Sequence, residues 1–379
     1  MNASSRAEIG ASHVLHVVGR VTEAVFSFLG PASEALAHAG YDQTIVMLDD
    51  PKHAHTFKFP VQVRLLTVPV DALGHRHWIG VAAAVQTLTA THQFSAIHLH
   101  GFLPWLLGTQ MGRCIPKQAS VFYSPHGSRT LGLLRPFQTA LAWCLSLGSP
   151  THRQEIIFSS KSDAQRLAVN GVQSVVTIEA ALDEVFFNTP RNEARRPLVV
   201  SGDHHDDRRS VEMLSRLAVI LSAAELGLNF NWIGDVGIAS AARLKAANVG
   251  AFPILDDARI ASRLATGWVF IAAGESTEFP VMLASAMAVG LPCVVAALPY
   301  HLDLIQHGIN GLVYHSEEEA LAMVSKLVDD PELRIRLGAA ARVDALARFS
   351  KSKLDQALIA AYHHTPQPAH AGMLAPNEH

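Results

Sequence analysis

Short apolar runs rich in Val and Ile alternate along the chain with segments whose apolar positions recur at helical spacing. That alternation predicts stacked βαβ units on parallel sheets. Val14–Val18 reads as a buried first strand. Ala32–Ala39 reads as the helix after it, with Ala32, Ala35, Leu36 and Ala39 on one face and Gly40 as its stop. Further strands are predicted at Thr44–Leu48, Ala96–His100, Ser120–Ser124, Glu155–Phe158 and Ser174–Ile178. A helix is expected over Trp78–Thr91, and another ends at Asn170-Gly171. The polar segment 188–197, with Pro190 and Pro197, then breaks the pattern as a linker would. Beyond it, strands Leu198–Ser201, Phe230–Ile233, Trp268–Ala272 and Cys293–Ala296 alternate with helices Ser210–Ala224 and Pro280–Val289. Helices over 317–328, 332–348 and 351–362 close the chain, and the residues after Thr365 read as a loose tail.

The expected architecture is therefore α/β, with two doubly wound Rossmann-like domains facing across a cleft. The N-terminal domain takes 1–187, the linker 188–197 and the C-terminal domain 198–350. Residues 351–379 form a last helix able to cross back to the N-terminal domain, plus the tail. Ligands of open α/β sheets bind at the carboxyl ends of the strands, which points to the cleft.

Composition narrows the classes. At 379 residues, with 49% hydrophobic and 17% charged side chains, the chain is no disordered polymer. A net charge of -3 gives no global basic excess, so nucleic acid is not an expected partner. Charge is uneven, however. Residues 113–166 hold Arg113, Lys117, Arg129, Arg135, Arg153, Lys161 and Arg166 against Glu155 and Asp163 alone. Cys114, Cys144 and Cys293 are too widely spaced for a disulfide framework or a zinc pattern, which fits a reducing compartment. The first 13 residues lack the apolar core of a signal peptide, and no apolar run is long enough to span a bilayer. The expectation is a cytoplasmic protein.

The segment from Gly274 to Pro292 carries the densest chemistry. A strand feeds a polar turn, Pro280 is expected at the first helical position, and the helix that follows is apolar all round except for Ser285. Two readings stand: an ordinary core βαβ unit, or an anion site at an open helix N-terminus.

The same segment resembles the signature of the retaining group 1 (family 4-like) glycosyltransferases of the GT-B fold. Phe279-Pro280 and Ala286-Met287-Ala288-Val289-Gly290-Leu291-Pro292 fall in register, as do Val294-Val295-Ala296, His301–Ile305 and His307–Leu312. The likeness continues through Glu319–Ala322, Asp329–Glu332, Leu337–Ala341 and Arg348-Phe349-Ser350. Trp232–Asp235 is similar to the family's glycine-aspartate turn, and Ser124–Gly127 to a strand end bearing a histidine near the donor sugar. The resemblance implies transfer of a hexosyl group from a nucleotide-sugar donor to a glycan or lipid-linked acceptor, in cell-surface polysaccharide or lipopolysaccharide synthesis. It implies no metal and no cofactor beyond the donor as co-substrate. His126, Arg208 and Glu278 take the catalytic positions. Gly202, Arg209, Gly234, Asp235, Thr277, Phe279, Pro280, Val281 and Ser285 take the donor-binding ones.

Departures accompany the matches. The family's two glutamates fall on Thr277 and Ser285, with Glu278 one residue off the first. A neutral Ser285 offers a ribose hydroxyl a weaker contact than a carboxylate. The loop arginine for the diphosphate is Asp203, and the lysine position is Arg208 with Arg209 beside it. A diphosphate leaving group without a metal needs cations and helix dipoles. Arg208, Arg209 and the amides near Pro280–Leu283 are the candidates. The competing expectation is a non-catalytic GT-B relative that binds or scaffolds; an epimerase or a phosphorylase is a third, though no phosphorylase-type lysine motif for pyridoxal phosphate is present.

Two further features stand out from spacing. The pairs His53/His55, His75/His77 and His98/His100 put two rings on one face if extended, but lack acidic or cysteine partners, so no metal is expected there. A helix over 130–147, with Arg129 and Arg135 at its start, suggests either packing on the N-terminal sheet or reversible contact with an anionic inner membrane face.

Overall fold

The computed structural model describes residues 12–363 except 20–22, 50–58, 70–76, 102–103, 105–118, 127–153, 169–174, 204–206, 224–226, 254–255 and 275–278. The helix expected over 130–147, and Thr277 and Glu278, lie outside the described residues.

Two parallel sheets form the frame. The first holds β1 (His13–Val18), β2 (Asp42–Asp49), β3 (Val63–Pro69), β4 (Ala96–His100), β5 (Ser120–Ser124), β6 (Gln154–Phe158) and β7 (Val175–Thr177), in the order β3-β2-β1-β4-β5-β6-β7. The second holds β8 (Leu198–Gly202), β9 (Asn229–Ile233), β10 (Gly250–Phe252), β11 (Val269–Ala272), β12 (Cys293–Ala296) and β13 (Leu312–Tyr314), ordered β10-β9-β8-β11-β12-β13. In each sheet the strand order reverses beside the first strand, between β1 and β4 and between β8 and β11. Such switch points open a crevice at the strands' carboxyl ends. The two doubly wound α/β domains expected from the alternation are present.

The central strands are buried on both faces, which is why they read as mainly apolar runs, with His98, His100, Ser120 and Ser124 as buried exceptions. The first helix differs from expectation. It runs from Glu23 to His38 through Pro31, nine residues earlier than the predicted start. Gly40 ends it with φ +86°, a conformation that favours glycine. Strand β3 is a half-exposed edge, with Leu65 at 45% exposure. The last helix, Lys351–His363, lies on the first domain. Its Leu354, Leu358 and Tyr362 pack with Val14, Phe28 and Leu36. No helix among the described residues is long and apolar enough to cross a membrane.

The domains are latched directly. Helix Pro299–Leu304 of the second domain presents Asp303 to the start of helix Lys161–Ala168 in the first. One Asp303 oxygen accepts from Ser160 Oγ (2.8 Å) and Ser162 N (3.0 Å), and the other from Ser162 Oγ (2.6 Å). Tyr300 donates its hydroxyl to Asp163 at 2.8 Å.

Candidate functional site

The second-domain half of the cleft is built from three close backbone approaches. β8 ends at Gly202, where a Cβ would stand 2.2 Å from the Ile233 carbonyl oxygen. Gly234 follows β9 with φ +148°, and a Cβ there would meet the Asp203 carbonyl oxygen at 2.2 Å. At Gly274, after β11, a Cβ would overlap the Asp207 carboxylate. No side chain fits these three positions without displacing its neighbour, so the strand ends form a tight floor. Asp235, next to Gly234, is exposed.

Two helices begin above that floor. Helix Arg208–Ala223 starts with Arg208 and Arg209 exposed to solvent. The Asp207 carboxylate caps this helix by accepting from the Arg209 backbone N–H at 3.1 Å. Helix Val281–Val289 starts differently. Pro280 is the residue before the first helical position, a correction by one place, with φ -78° and ψ 78° and no side-chain cap. A proline side chain has no acceptor, so the first turn's N–H groups depend on other partners. Phe279 is packed edge-on against Phe349, with ring centroids 5.3 Å apart. Val281 is partly buried and contacts the core formed around this helix. Ser285 is 1% exposed, and its hydroxyl has no hydrogen-bond partner. An orphaned buried hydroxyl is costly and calls for an explanation.

His301 is buried nearby, and its Nδ1 lies 3.0 Å from the Ala296 carbonyl oxygen. Burial lowers its pKa, while the Ala296 carbonyl and the Asp207 charge act the other way. His301 matched the resemblance as part of a run of residues; its nearness to Asp207 is a fact of the fold alone.

The first-domain half centres on His126, two residues past β5. Its φ is +46°, a left-handed value uncommon outside glycine. His126 lines a narrow pocket with Phe28, Ser124 and Ser160 of its own domain and Phe279 and Tyr300 of the other. The structure thus brings His126 to one pocket with Phe279, two residues before helix Val281–Val289. Behind His126 stands a cluster not foreseen from spacing. His16 on β1 and His98 and His100 on β4 are fully buried, with His126 beyond them. Burial lowers the pKa of all four, His16 to about 4 and His126 to about 3. They are neutral near pH 7.

The cluster is hydrogen-bonded, and one ring nitrogen each of His16, His98 and His100 lies within 4.8 Å of the others. His98 and His100 stack at 4.0 Å with a 30° angle. Both His98 nitrogens are engaged, by Tyr362 Oη (2.6 Å) and Ser124 Oγ (2.8 Å).

Comparison with known proteins agrees with this anatomy. Residues 238–344 match the family described as Glycosyl transferases group 1. No curated protein matches the chain. Among solved structures, sucrose-phosphate synthase from Thermosynechococcus elongatus is 15% identical with a TM-score of 0.73, over 93% of this chain and 98% of that one. HepE from Anabaena, solved with UDP-glucose, is 14% identical with a TM-score of 0.70, over 93% and 99%. The catalytic domain of starch synthase IV from Arabidopsis thaliana, solved with ADP and acarbose, is 13% identical with a TM-score of 0.68, over 94% and 99%. At these identities the likeness establishes the fold, which is GT-B.

Proposed function

We propose that this chain is a glycosyltransferase that takes a hexosyl group from a nucleoside-diphosphate sugar and passes it, with retention, to a hydroxyl of a glycan or lipid-linked acceptor. The observation that carries the reading is the cleft itself. A helix without a side-chain cap, Val281–Val289, begins two residues after Phe279, which lines one pocket with His126, and it lies in the segment matched by the group 1 family. Its dipole suits the donor's diphosphate. Arg208 and Arg209 stand exposed on the first turn of the adjacent helix and supply cations within reach of that region. Ser285, buried with an idle hydroxyl, suits a ribose hydroxyl. Gly202 and Gly234 let the strand ends pack closely as the floor beneath the nucleotide, and Asp235 stands exposed beside them. In the transfer, the anomeric C–O bond breaks with its electron pair leaving on the diphosphate, and the acceptor oxygen bonds to the anomeric carbon from the same face. Helix dipole and arginines offset the growing negative charge. His126 meets the sugar. Of the similar structures, one is solved with a nucleoside-diphosphate sugar, UDP-glucose, and one with a nucleoside diphosphate, ADP.

A second reading, a non-catalytic GT-B relative, draws on the carboxylates. Asp207 already occupies the N-terminus of helix Arg208–Ala223, and Asp203 stands where an arginine is expected. Calorimetric titration with UDP, GDP, ADP and their sugars, with inorganic phosphate as control, separates the two. Saturable binding that Arg208→Ala/Arg209→Ala weakens at least tenfold supports the donor site, since each charge-assisted contact is worth about 1.5–3 kcal/mol. Absence of binding to all of them favours the non-catalytic relative.

A further inference from the structure

The histidine cluster behind His126 has a direction, and the direction determines what His126 offers the cleft. His16 Nδ1 lies 3.1 Å from His100 Nε2, and His100 Nδ1 lies 2.9 Å from His126 Nε2. Ring centroids 5.4 and 5.2 Å apart, at 33° and 20°, fit imidazoles joined edge to edge in a line. Each neutral imidazole carries one N–H and one bare nitrogen. Two arrangements of protons therefore satisfy both contacts, and they differ in which His126 nitrogen is protonated.

The far end of the line selects between them. His16 Nε2 is buried without a hydrogen-bond partner, and so is Gln43 Oε1. Gln43 sits on β2 opposite Val14, so it shares the sheet face of His16 two residues along β1, and the two orphaned atoms lie on one side of the sheet; the Gln43 side chain also opposes the fall in the His16 pKa. Its amide cannot turn over. Gln43 Nε2 donates to the Ser33 carbonyl at 2.8 Å, and a flipped amide would set two oxygens against each other there. With Oε1 toward His16, a bare His16 Nε2 would place two lone pairs face to face in a buried site, which is costly.

We propose that Gln43, His16 and His100 form a polarised relay that holds His126 as its Nε2–H tautomer, with a bare Nδ1 presented to the cleft. His16 Nε2–H points at Gln43, His100 Nε2–H donates to His16 Nδ1, and His126 Nε2–H donates to His100 Nδ1. The group that His126 takes from a ligand is then a hydrogen-bond donor, a sugar hydroxyl and not a phosphate oxygen. Gln43, His16 and His100 are positioning residues. His98 stacks on His100 and is pinned by Tyr362 and Ser124, which holds the His100 ring plane. The identity of the donor as a sugar rests on the function proposed above; the tautomer does not.

The test is nitrogen NMR on the full chain labelled with ¹⁵N-histidine at pH 7.5, the His126 signals being assigned by their loss in His126→Gln. The expected wild-type result is a proton on His126 Nε2 and an unprotonated Nδ1. In Gln43→Leu the acceptor is gone, and the Nδ1–H form of His126 should rise to a readily detected share. A wild-type His126 protonated at Nδ1 overturns the relay, and so does a folded Gln43→Leu protein with an unchanged His126 tautomer. The wild-type spectrum decides even if Gln43→Leu does not fold. Titration with UDP-glucose keeps the two ideas apart: no binding by a protein with the expected tautomer defeats the donor-site reading and leaves the relay standing.

Discussion

Asp303 joins the two halves of the molecule, and its removal has a calculable effect. The carboxylate takes three hydrogen bonds from the first domain, two from Ser162 and one from Ser160. Hydrogen bonds to a charged group contribute about 1.5–3 kcal/mol each, yet three on one group are not additive. Ser162 is partly exposed, so water recovers some of its bonding when Asp303 leaves. A negative charge at a helix N-terminus adds about 0.3–1 kcal/mol. Asp303→Ala is therefore expected to cost about 2–4 kcal/mol of interdomain contact. Asp303→Asn separates charge from shape. Its oxygen can still accept from Ser160 Oγ and Ser162 N, while its NH₂ can donate to Ser162 Oγ, because a hydroxyl also accepts. It should cost about 1 kcal/mol. Scanning calorimetry should show the two domains of Asp303→Ala melting apart, and small-angle scattering should show a larger radius of gyration. A single transition at the wild-type temperature with unchanged scattering would refute the latch.

Two other outcomes follow from buried groups. The His16 and His126 pKa values are depressed to about 4 and 3, below the unfolded value of 6.5, so the unfolded chain binds more protons in between. Stability should be full above pH 6.5 and fall as pH drops toward 4, by about 3 kcal/mol from His16 alone; urea midpoints equal at pH 4.5 and 7.5 would count against the buried neutral cluster. Ser285→Ala removes a hydroxyl that has no partner in the structure, so its urea midpoint should equal or exceed that of wild type. If the hydroxyl serves a ribose, the same variant binds nucleoside diphosphate about 3–10-fold more weakly, the worth of one neutral hydrogen bond, by calorimetry.

The frame was legible because parallel strands buried on both faces are mainly apolar. β8, β11 and β12 announce themselves this way, and β1, β4 and β5 do so around the buried His16, His98, His100, Ser120 and Ser124. β3 does not, because an edge strand with Arg64 and an exposed Leu65 has no such constraint. The expected first helix starts nine residues late, after Pro31, a residue that removes a helical hydrogen bond; here the helix runs through it, packed on the sheet by Phe28 and Leu29 before it and by Ala32 and Leu36 after it. Helix Val281–Val289 was readable from its uniform apolarity and from Gly290, which closes it with φ +82°.

The histidine relay shows why a site resists reading even when its residues are in plain view. His98 and His100 share a strand face, and that much follows from their spacing. His16 joins them only because β1 lies beside β4, with His16 opposite His98 in register. His126 joins because β5 is the next strand out, so that the turn after Ser124 ends beside His100. Sequence order would place β2 beside β1 and β3 beside β2, on the other side of the sheet, and it is the crossover to β4 that brings His16, His100 and His126 into one line with His98 stacked on His100. Gln43 enters from that other side, through β2. The relay therefore spans the sheet's switch point, with its amide anchor on one flank and its cleft-facing ring on the other. A pocket at a switch point is expected of any open α/β sheet. What this chain adds is a buried path of neutral imidazoles across it, whose proton order is fixed at a residue that never reaches the cleft.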